Sequence, residues 1–270
     1  MKVVIFCGGQ GLRMREASEV APKPMIPIGT RPVLWHVMKY YAHFGFTDFI
    51  LCLGYRSEVI KQFFLSYNEA LANDFVLSEG GARVHLLKTD IHNWNITCVD
   101  TGLGASIGER LRAVSHLLRD DEMFLANYGD TLTDANLPQM IETAKRAGST
   151  ASFLAVRPSY SFHVVSMQPD GLVTGIHDVA RSEMWINGGY FVMRREVLDE
   201  LRPGEDLVGA PFERLMARGE LLAQRHEGFW APMDTLKEKQ QLESLHESGT
   251  APWEVWDAHR RAQLQSLAAV

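Results

Sequence analysis

Lys2 to Cys7 reads KVVIFC, a β-branched apolar run after its first residue, and Gly8 and Gly9 halt it. A strand apolar on both faces must be covered on both, which suits a parallel strand flanked by helices. Pro32 then opens a segment with Val33, Leu34, Val37, Met38 and Tyr41 at helical spacing, and Gly45 stops it, in keeping with proline-first and glycine-last helix chemistry. Phe49 to Leu53 reads as a second strand, and Ser57 is the expected N-cap of a helix carrying Val59, Ile60, Phe63 and Phe64. Strand, loop, helix, strand, helix implies a parallel sheet with right-handed crossovers.

Further strands are expected at Val84–Leu87, Asn95–Val99 and Met123–Asn127, with helical spacing over Ile107–Leu118 and Pro138–Ala147. Asp134 reads as the N-cap of the second of these helices. Ala151–Val156, His163–Met167, Val173–Ile176 and Trp185–Met193 are short strand candidates separated by Pro158, Pro169-Asp170-Gly171 and Gly188-Gly189. They suggest a sheet extension plus a lid. From about Leu207 the pattern is mostly helical, with an interruption at Gly228–Asp234. The fold class expected is α/β: a Rossmann-like three-layer α/β/α arrangement with a mostly parallel sheet, an antiparallel extension and a helical C-terminal part. No linker or repeat divides the chain, so one domain over residues 1–270 is expected.

Composition narrows the function. The chain has 270 residues, 46% hydrophobic and 22% charged, which is enough for a sizeable core and excludes disorder, collagen and coiled coil. Lys plus Arg number 27 against 33 for Asp plus Glu, a formal charge of −6, and no basic run offers the phosphate attraction that a nucleic-acid partner needs. Cys7, Cys52 and Cys98 sit in apolar runs outside any C-x-x-C pair, which points to free thiols in a reducing compartment. The N-terminus lacks the build of a signal peptide and no run of about 18 apolar residues occurs. A cytoplasmic protein with no membrane partner is expected.

Three segments could carry chemistry. Gly8-Gly9-Gln10-Gly11-Leu12-Arg13 follows the first strand, where glycines let backbone N–H groups approach phosphate oxygens. It matches neither the dinucleotide fingerprint nor the P-loop, and by itself reads equally as a tight turn. Lys23 lies between Pro22 and Pro24 in an extended segment, either a solvated loop lysine or, with Arg13, a countercharge for a triphosphate. Asp130, after Tyr128-Gly129 at a strand end, suits a magnesium ligand or a plain turn, and Asp234 reads as a helix cap, an alternative to Thr235, or as a second metal carboxylate. The histidines show no metal spacing and no G-x-S-x-G is present.

Taken in order, these segments resemble the sugar nucleotidylyltransferases, whose signature is close to G-G-x-G-T-R-L followed by K-P-M-x-x-I/V. Here it reads Gly8-Gly9-Gln10-Gly11-Leu12-Arg13-Met14 and Lys23-Pro24-Met25-Ile26-Pro27-Ile28. The likeness extends to about Trp256 and is nearest to the glucose-1-phosphate cytidylyltransferase branch. It rests on Pro32–Lys39, Gly54-Tyr55 with Val59-Ile60-Lys61, Trp94–Thr97 through Val99–Gly102, Tyr128-Gly129-Asp130, Ile186–Val192 and Gly228–Thr235.

The resemblance implies a nucleotide-diphospho-sugar transferase-like fold, with a nucleotide-binding half over about 1–150, an acceptor half over about 150–235 and C-terminal helices over about 236–270. It implies magnesium-dependent transfer of a cytidylyl group from CTP to a sugar 1-phosphate, in the supply of CDP-sugar for surface polysaccharide, by a homo-oligomer. Arg13, Lys23 and Asp130 would be catalytic. Gly8, Gly9, Gln10, Gly11, Leu12, Arg13 and Lys23 would hold the triphosphate, with Thr101, Gly102, Arg110 and Gly129 at the nucleotide, Asp130 and Asp234 on magnesium, and Asn187 and Gly188 at the acceptor.

The chain departs from the family pattern at Leu12, where the signature has threonine, and at Ala105, where the family has a nucleotide-contacting serine and this chain has Ser106 one residue on. The family's Glu-Lys-Pro stretch is replaced by His177-Asp178-Val179-Ala180-Arg181, so Arg181 or His177 is expected to substitute for the lysine that holds the sugar phosphate. An intact triphosphate and metal half beside a diverged acceptor half is therefore expected. The alternatives are another phosphorylated acceptor, UTP or dTTP as donor, or a catalytically idle nucleotide sensor.

Overall fold

The computed structural model describes residues 1–9, 21–158, 162–179 and 183–257. Fifteen strands follow in chain order: β1 Val3–Phe6, β2 Pro27–Ile28, β3 Arg31–Pro32, β4 Asp48–Leu53, β5 Phe75–Ser78, β6 Arg83–Leu86, β7 Asn95–Asp100, β8 Met123–Asn127, β9 Thr131–Thr133, β10 Ala151–Val156, β11 His163–Met167, β12 Val173–Asp178, β13 Ile186–Arg194, β14 Leu221–His226 and β15 Trp230–Pro232. Among the described residues seven form the central sheet, in the order β14-β10-β13-β8-β1-β4-β7. β1 is parallel to β4 and β8, β4 to β7, and β10 to β14, whereas β13 runs antiparallel between β8 and β10.

Helices cover both faces, as the apolar β1 requires. Val3, Ile5 and Cys7 pack on Val33, Val37, Met38 and Tyr41 of the helix Val33–His43 and on Met140 and Ile141 of the helix Leu137–Ala147. Val4 and Phe6 face Leu111 and Val114 of the helix Ile107–Val114, together with Phe212 and Leu215 of the helix Ala210–Ala217. The two hydrophobic clusters are the outer seams of a three-layer α/β/α sandwich, and they draw residues from Val3 to Val255.

The expected antiparallel extension is β13, which pairs with β8 and carries the sheet on to β10 and β14. The structure differs from the sequence reading in four places. Leu221–His226 is a strand, not part of a helical tail: it adds to β10 in parallel at the sheet edge, where backbone pairing overrides a sequence poor in β-branched residues. Phe75–Ser78 pairs with β6 as a hairpin outside the main sheet. Ser57 is already inside its helix, and Arg56 holds the cap position with φ 49 and no side-chain cap bond. Asn136, not Asp134, caps the helix Leu137–Ala147 by accepting from Gln139 N; the Asp134 carboxylate instead accepts from Phe229 N at 2.8 Å. Thr235 caps the helix Leu236–Glu247 in a capping box with Glu238. Among the described residues no helix is long and apolar enough to cross a membrane.

The segment after that last helix is pinned through a buried histidine. His36 is 2% exposed, and Trp253 Nε1–H donates to its Nδ1 at 3.3 Å. The proton therefore sits on Nε2, which donates to Ile28 O at 3.2 Å. Burial lowers the His36 pKa to about 4, outweighing the carbonyl bond. A folded-state pKa below the unfolded value gives stability that is present above about pH 6.5 and lost as pH falls through 4. Denaturant titrations from pH 7.5 to 4.5 should show the wild type losing up to about 1.4 kcal/mol per pH unit more than His36→Gln below pH 6.5, and parallel lines for the two proteins would refute this.

Candidate active site

The carboxyl ends of β1, β4, β8 and β10 meet at one edge of the sheet, where ligands of open α/β sheets bind. A cavity of about 690 Å³ opens there, its walls including Gly8, Gly9, Lys23, Ser106, Arg110, Tyr128, Asp130, Asn187, Trp230 and Asp234.

One wall is organised by Arg110, on the helix Ile107–Val114 and 4% exposed. Its guanidinium donates to Leu53 O at 3.1 Å, Thr101 Oγ1 at 2.7 Å, Gly8 O at 3.1 Å and Leu103 O at 3.4 Å. A Cβ on Gly8 would overlap the guanidinium, so only glycine fits there. Burial lowers the Arg110 pKa, yet an arginine stays charged across the working range. Thr101 reaches the wall through Arg110, and neither Thr101 nor Gly102 lines the cavity.

Ser106 begins the same helix with its N-terminus toward the cavity. Its hydroxyl accepts from Glu109 N at 3.2 Å and donates to Glu205 O at 3.1 Å, so its one proton is committed to the cap while the residue lines the cavity.

The opposite wall holds three charges. Lys23 lies in the short turn Lys23–Met25, with Pro22 at φ −63 and ψ 148 setting the entry. Its ammonium is 2.6 Å from Asp130 Oδ2 and also contacts Asp234 Oδ1. Asp130 follows Gly129, whose φ of 78 is a left-handed conformation and whose missing Cβ clears Ile5 and Phe6 O. Asp234 is brought across by the β9–β15 pair and by Met233 N, which donates to Asp130 O at 3.0 Å. Burial raises the Asp130 pKa, with the Asp234 charge adding to it and Lys23 opposing. Burial pulls the Lys23 ammonium down, but the carboxylates outweigh it and the net shift is upward.

Among the described residues no group of three or more His, Cys, Asp and Glu side chains could hold a metal. Two carboxylates converging on one cation is therefore what the protein offers, a donor set that suits a hard cation completed by water and phosphate oxygens.

A third wall comes from β13. Asn187 Nδ2 donates to Tyr128 Oη at 2.9 Å while its Oδ1 accepts from Gly189 N at 2.9 Å, so the amide is held rigidly at the cavity. Trp230 Nε1 donates to Gly188 O at 2.8 Å, and a Cβ on Gly188 would be tight, 3.1 Å from Leu154 O and from that indole. His177 is exposed on β12, outside the cavity lining, with its ring over Gly175. Gln10, Gly11, Leu12, Arg13 and Arg181 lie outside the described residues.

The sequence reading did not single out Arg157 and Arg225, whose guanidiniums lie 4.2 and 5.3 Å from the Trp185 ring beside Ile186 and Asn187. Strand register was the available signal, since Ala155 pairs with both Arg225 and Asn187. Cys7 borders the cavity, but burial pushes its thiol well above the usual range, which disqualifies it as a nucleophile.

The family profile described as Nucleotidyl transferase matches residues 2–237. Glucose-1-phosphate cytidylyltransferases of Salmonella typhi and Salmonella typhimurium are each 39% identical over 260 residues, covering 95% of this chain and all of theirs. A UDP-glucose pyrophosphorylase solved with UDP-glucose shares the fold, with a TM-score of 0.68 at 13% identity over 92% of this chain and 98% of that one. A strand-end cavity bordered by glycines, with a lysine between two aspartates, is thus joined to a profile match over most of the sequence, and the chain belongs to the nucleotidyl transferase family.

Proposed function

We propose that this nucleotidyltransferase moves the cytidylyl group of CTP to a sugar 1-phosphate, glucose 1-phosphate in the first instance, forming a CDP-sugar and releasing pyrophosphate. The observation that carries the reading is the convergence of Lys23, Asp130 and Asp234 on a wall of the cavity that Gly8, Gly9 and Arg110 also line. The near full-length likeness to glucose-1-phosphate cytidylyltransferases supports the choice of base and acceptor.

In this reading a phosphate oxygen of the sugar 1-phosphate attacks the α-phosphorus of CTP in line, the bond to the bridging oxygen breaks, and pyrophosphate leaves with that electron pair. Positioning and charge neutralisation are the main requirements, and no covalent enzyme intermediate is formed. Gly8 and Gly9, with Gln10, Gly11, Leu12 and Arg13, cradle the triphosphate, and Lys23 adds a point charge. Arg110 holds the loop in place through Gly8 O while Gly129 lets the chain turn against β1 and so presents Asp130 to the cavity.

Asp130 and Asp234 would hold a divalent cation, magnesium, which when bound supplies positive charge to the phosphates. Asn187 and Gly188 receive the acceptor. His177 stands off the cavity, and the guanidiniums of Arg157 and Arg225, held at Trp185 next to Ile186 and Asn187, are the described cations offered to the sugar phosphate in its place.

Pyrophosphate release with magnesium, each of CTP, UTP, dTTP and dCTP, and a panel of phosphorylated sugars tests the reading. Turnover confined to CTP and glucose 1-phosphate is expected; turnover with another base or acceptor would replace that part of it, and CTP binding without turnover would make the chain a sensor.

Asp130→Asn and Asp234→Asn should each lower kcat about 100-fold or more while circular dichroism stays that of the wild type. Asn187→Ala should raise KM for the sugar phosphate about 10-fold with KM for CTP unchanged, since it removes a hydrogen-bonding group from the acceptor wall alone. Equal rises in both KM values would place Asn187 elsewhere.

A further inference from the structure

The cationic atom shared by Asp130 and Asp234 is the Lys23 ammonium, and both contacts are direct ion pairs. The two side chains proposed to hold a divalent cation are thus bridged by a side chain of the same protein. Resting on that metal assignment, we infer that Lys23 is an internal occupant of the cation position, and that a divalent cation and the Lys23 ammonium compete for the same pair of carboxylates.

Occupancy drives the competition. With Lys23 in place its ammonium is in direct ion-pair contact with both carboxylates. A divalent cation drawn to the same oxygens would be held against that ammonium by like charge, and the ammonium is the mobile member. Lysine carries its charge on a flexible four-carbon stem, so it can leave while its backbone stays fixed between Pro22 and Pro24. Lys23 is only 12% exposed, whereas the Asp130 and Asp234 side chains are 21% and 23% exposed, so an incoming cation can reach the carboxylates from the cavity.

Lys23 lines the same cavity as Gly8 and Gly9, which gives the displaced ammonium a destination once phosphates are bound there. The triphosphate draws Lys23 off the aspartates, the cation takes them, and each event favours the other. Lys23 then acts twice: it keeps the ligand-free aspartates together and unavailable to stray cations, and it moves to the phosphates when the substrate arrives.

The test is Mn2+ binding to the full-length protein without nucleotide, followed by the electron paramagnetic resonance signal of free Mn2+. Lys23→Met should bind Mn2+ at least 10-fold more tightly than the wild type. Lys23→Gln, which keeps a hydrogen-bonding head without the charge, should do the same and serves if the methionine variant fails to fold. Wild-type affinity in the folded Lys23 variants, together with loss of Mn2+ binding in Asp130→Asn, would overturn the competition while leaving the metal assignment standing. Unchanged Mn2+ binding in Asp130→Asn and Asp234→Asn would overturn the metal assignment and the competition with it.

Discussion

The guanidinium of Arg110 sets the geometry of the nucleotide wall. A charged group withdrawn this far from water is stable only if its donors are satisfied, and here they meet oxygens from three strand ends: Gly8 after β1, Leu53 in β4, and Thr101 and Leu103 after β7. Beyond the last ladder bonds this side chain ties those loops together alongside the bonds from Tyr55 N to Gly8 O and from Thr101 N to Leu53 O. Gly8 is glycine because a Cβ would overlap the guanidinium, and Gly54 is hemmed in by Gly8 O, Gly102 O and Arg110 in the same way. Gly8 therefore answers a packing requirement, whereas a Cβ on Gly9 would meet nothing, so its place at the cavity is not dictated by packing.

The charged wall is assembled by backbone pairing of distant segments. β9 begins directly after Asp130 and β15 ends just before Asp234, so the antiparallel pair and the bond from Met233 N to Asp130 O place both carboxylates without reference to any ligand. Bringing two acids together in a partly buried corner raises the cost of ionising them both, and the upward pull on Asp130 registers it. Lys23 lowers that cost. The ammonium thereby holds both carboxylates in the resting corner, and a divalent cation can take that position only as Lys23 moves off toward phosphate.

Much of this was legible in the sequence, for reasons particular to each element. Met123–Asn127, Ala151–Val156 and His163–Met167 begin and end where turn residues mark them, and β1 was legible because an apolar run on both faces has few alternatives. The cap of the helix Ser57–Leu65 was not legible, since Arg56 adopts φ 49 under tertiary constraint and not from its own preference. Leu221–His226 was hidden because an edge strand is specified by the neighbour it pairs with. At the site, Gly8, Lys23, Asp130 and Asp234 could each be named from a local motif. That Lys23 lies between the two aspartates could not, because the contact joins three segments whose proximity exists only after the sheet forms. Ser106 is the opposite case: its neighbour relation to position 105 is obvious in sequence, while its bonds to Glu109 and Glu205 are visible only in three dimensions.

The acceptor wall follows a different physical rule from the nucleotide wall. β13 runs antiparallel to its neighbours, so its first residues, Ile186 to Gly188, face the edge at which the parallel strands end. Its register is set inside the sheet, by Ala155 against Asn187, Val156 against Ile186 and Tyr190 against Asn127. The segment preceding Ile186 can consequently change its residues without shifting Asn187 or the charged corner. The family's lysine stretch belongs to that segment, whereas the carboxylates and the glycine loop belong to the sheet and its internal pairs. A changed lysine motif beside a charged corner held by the sheet's own pairs is thus a divergence this architecture tolerates, and the guanidiniums of Arg157 and Arg225 lie against Trp185, the residue just before β13.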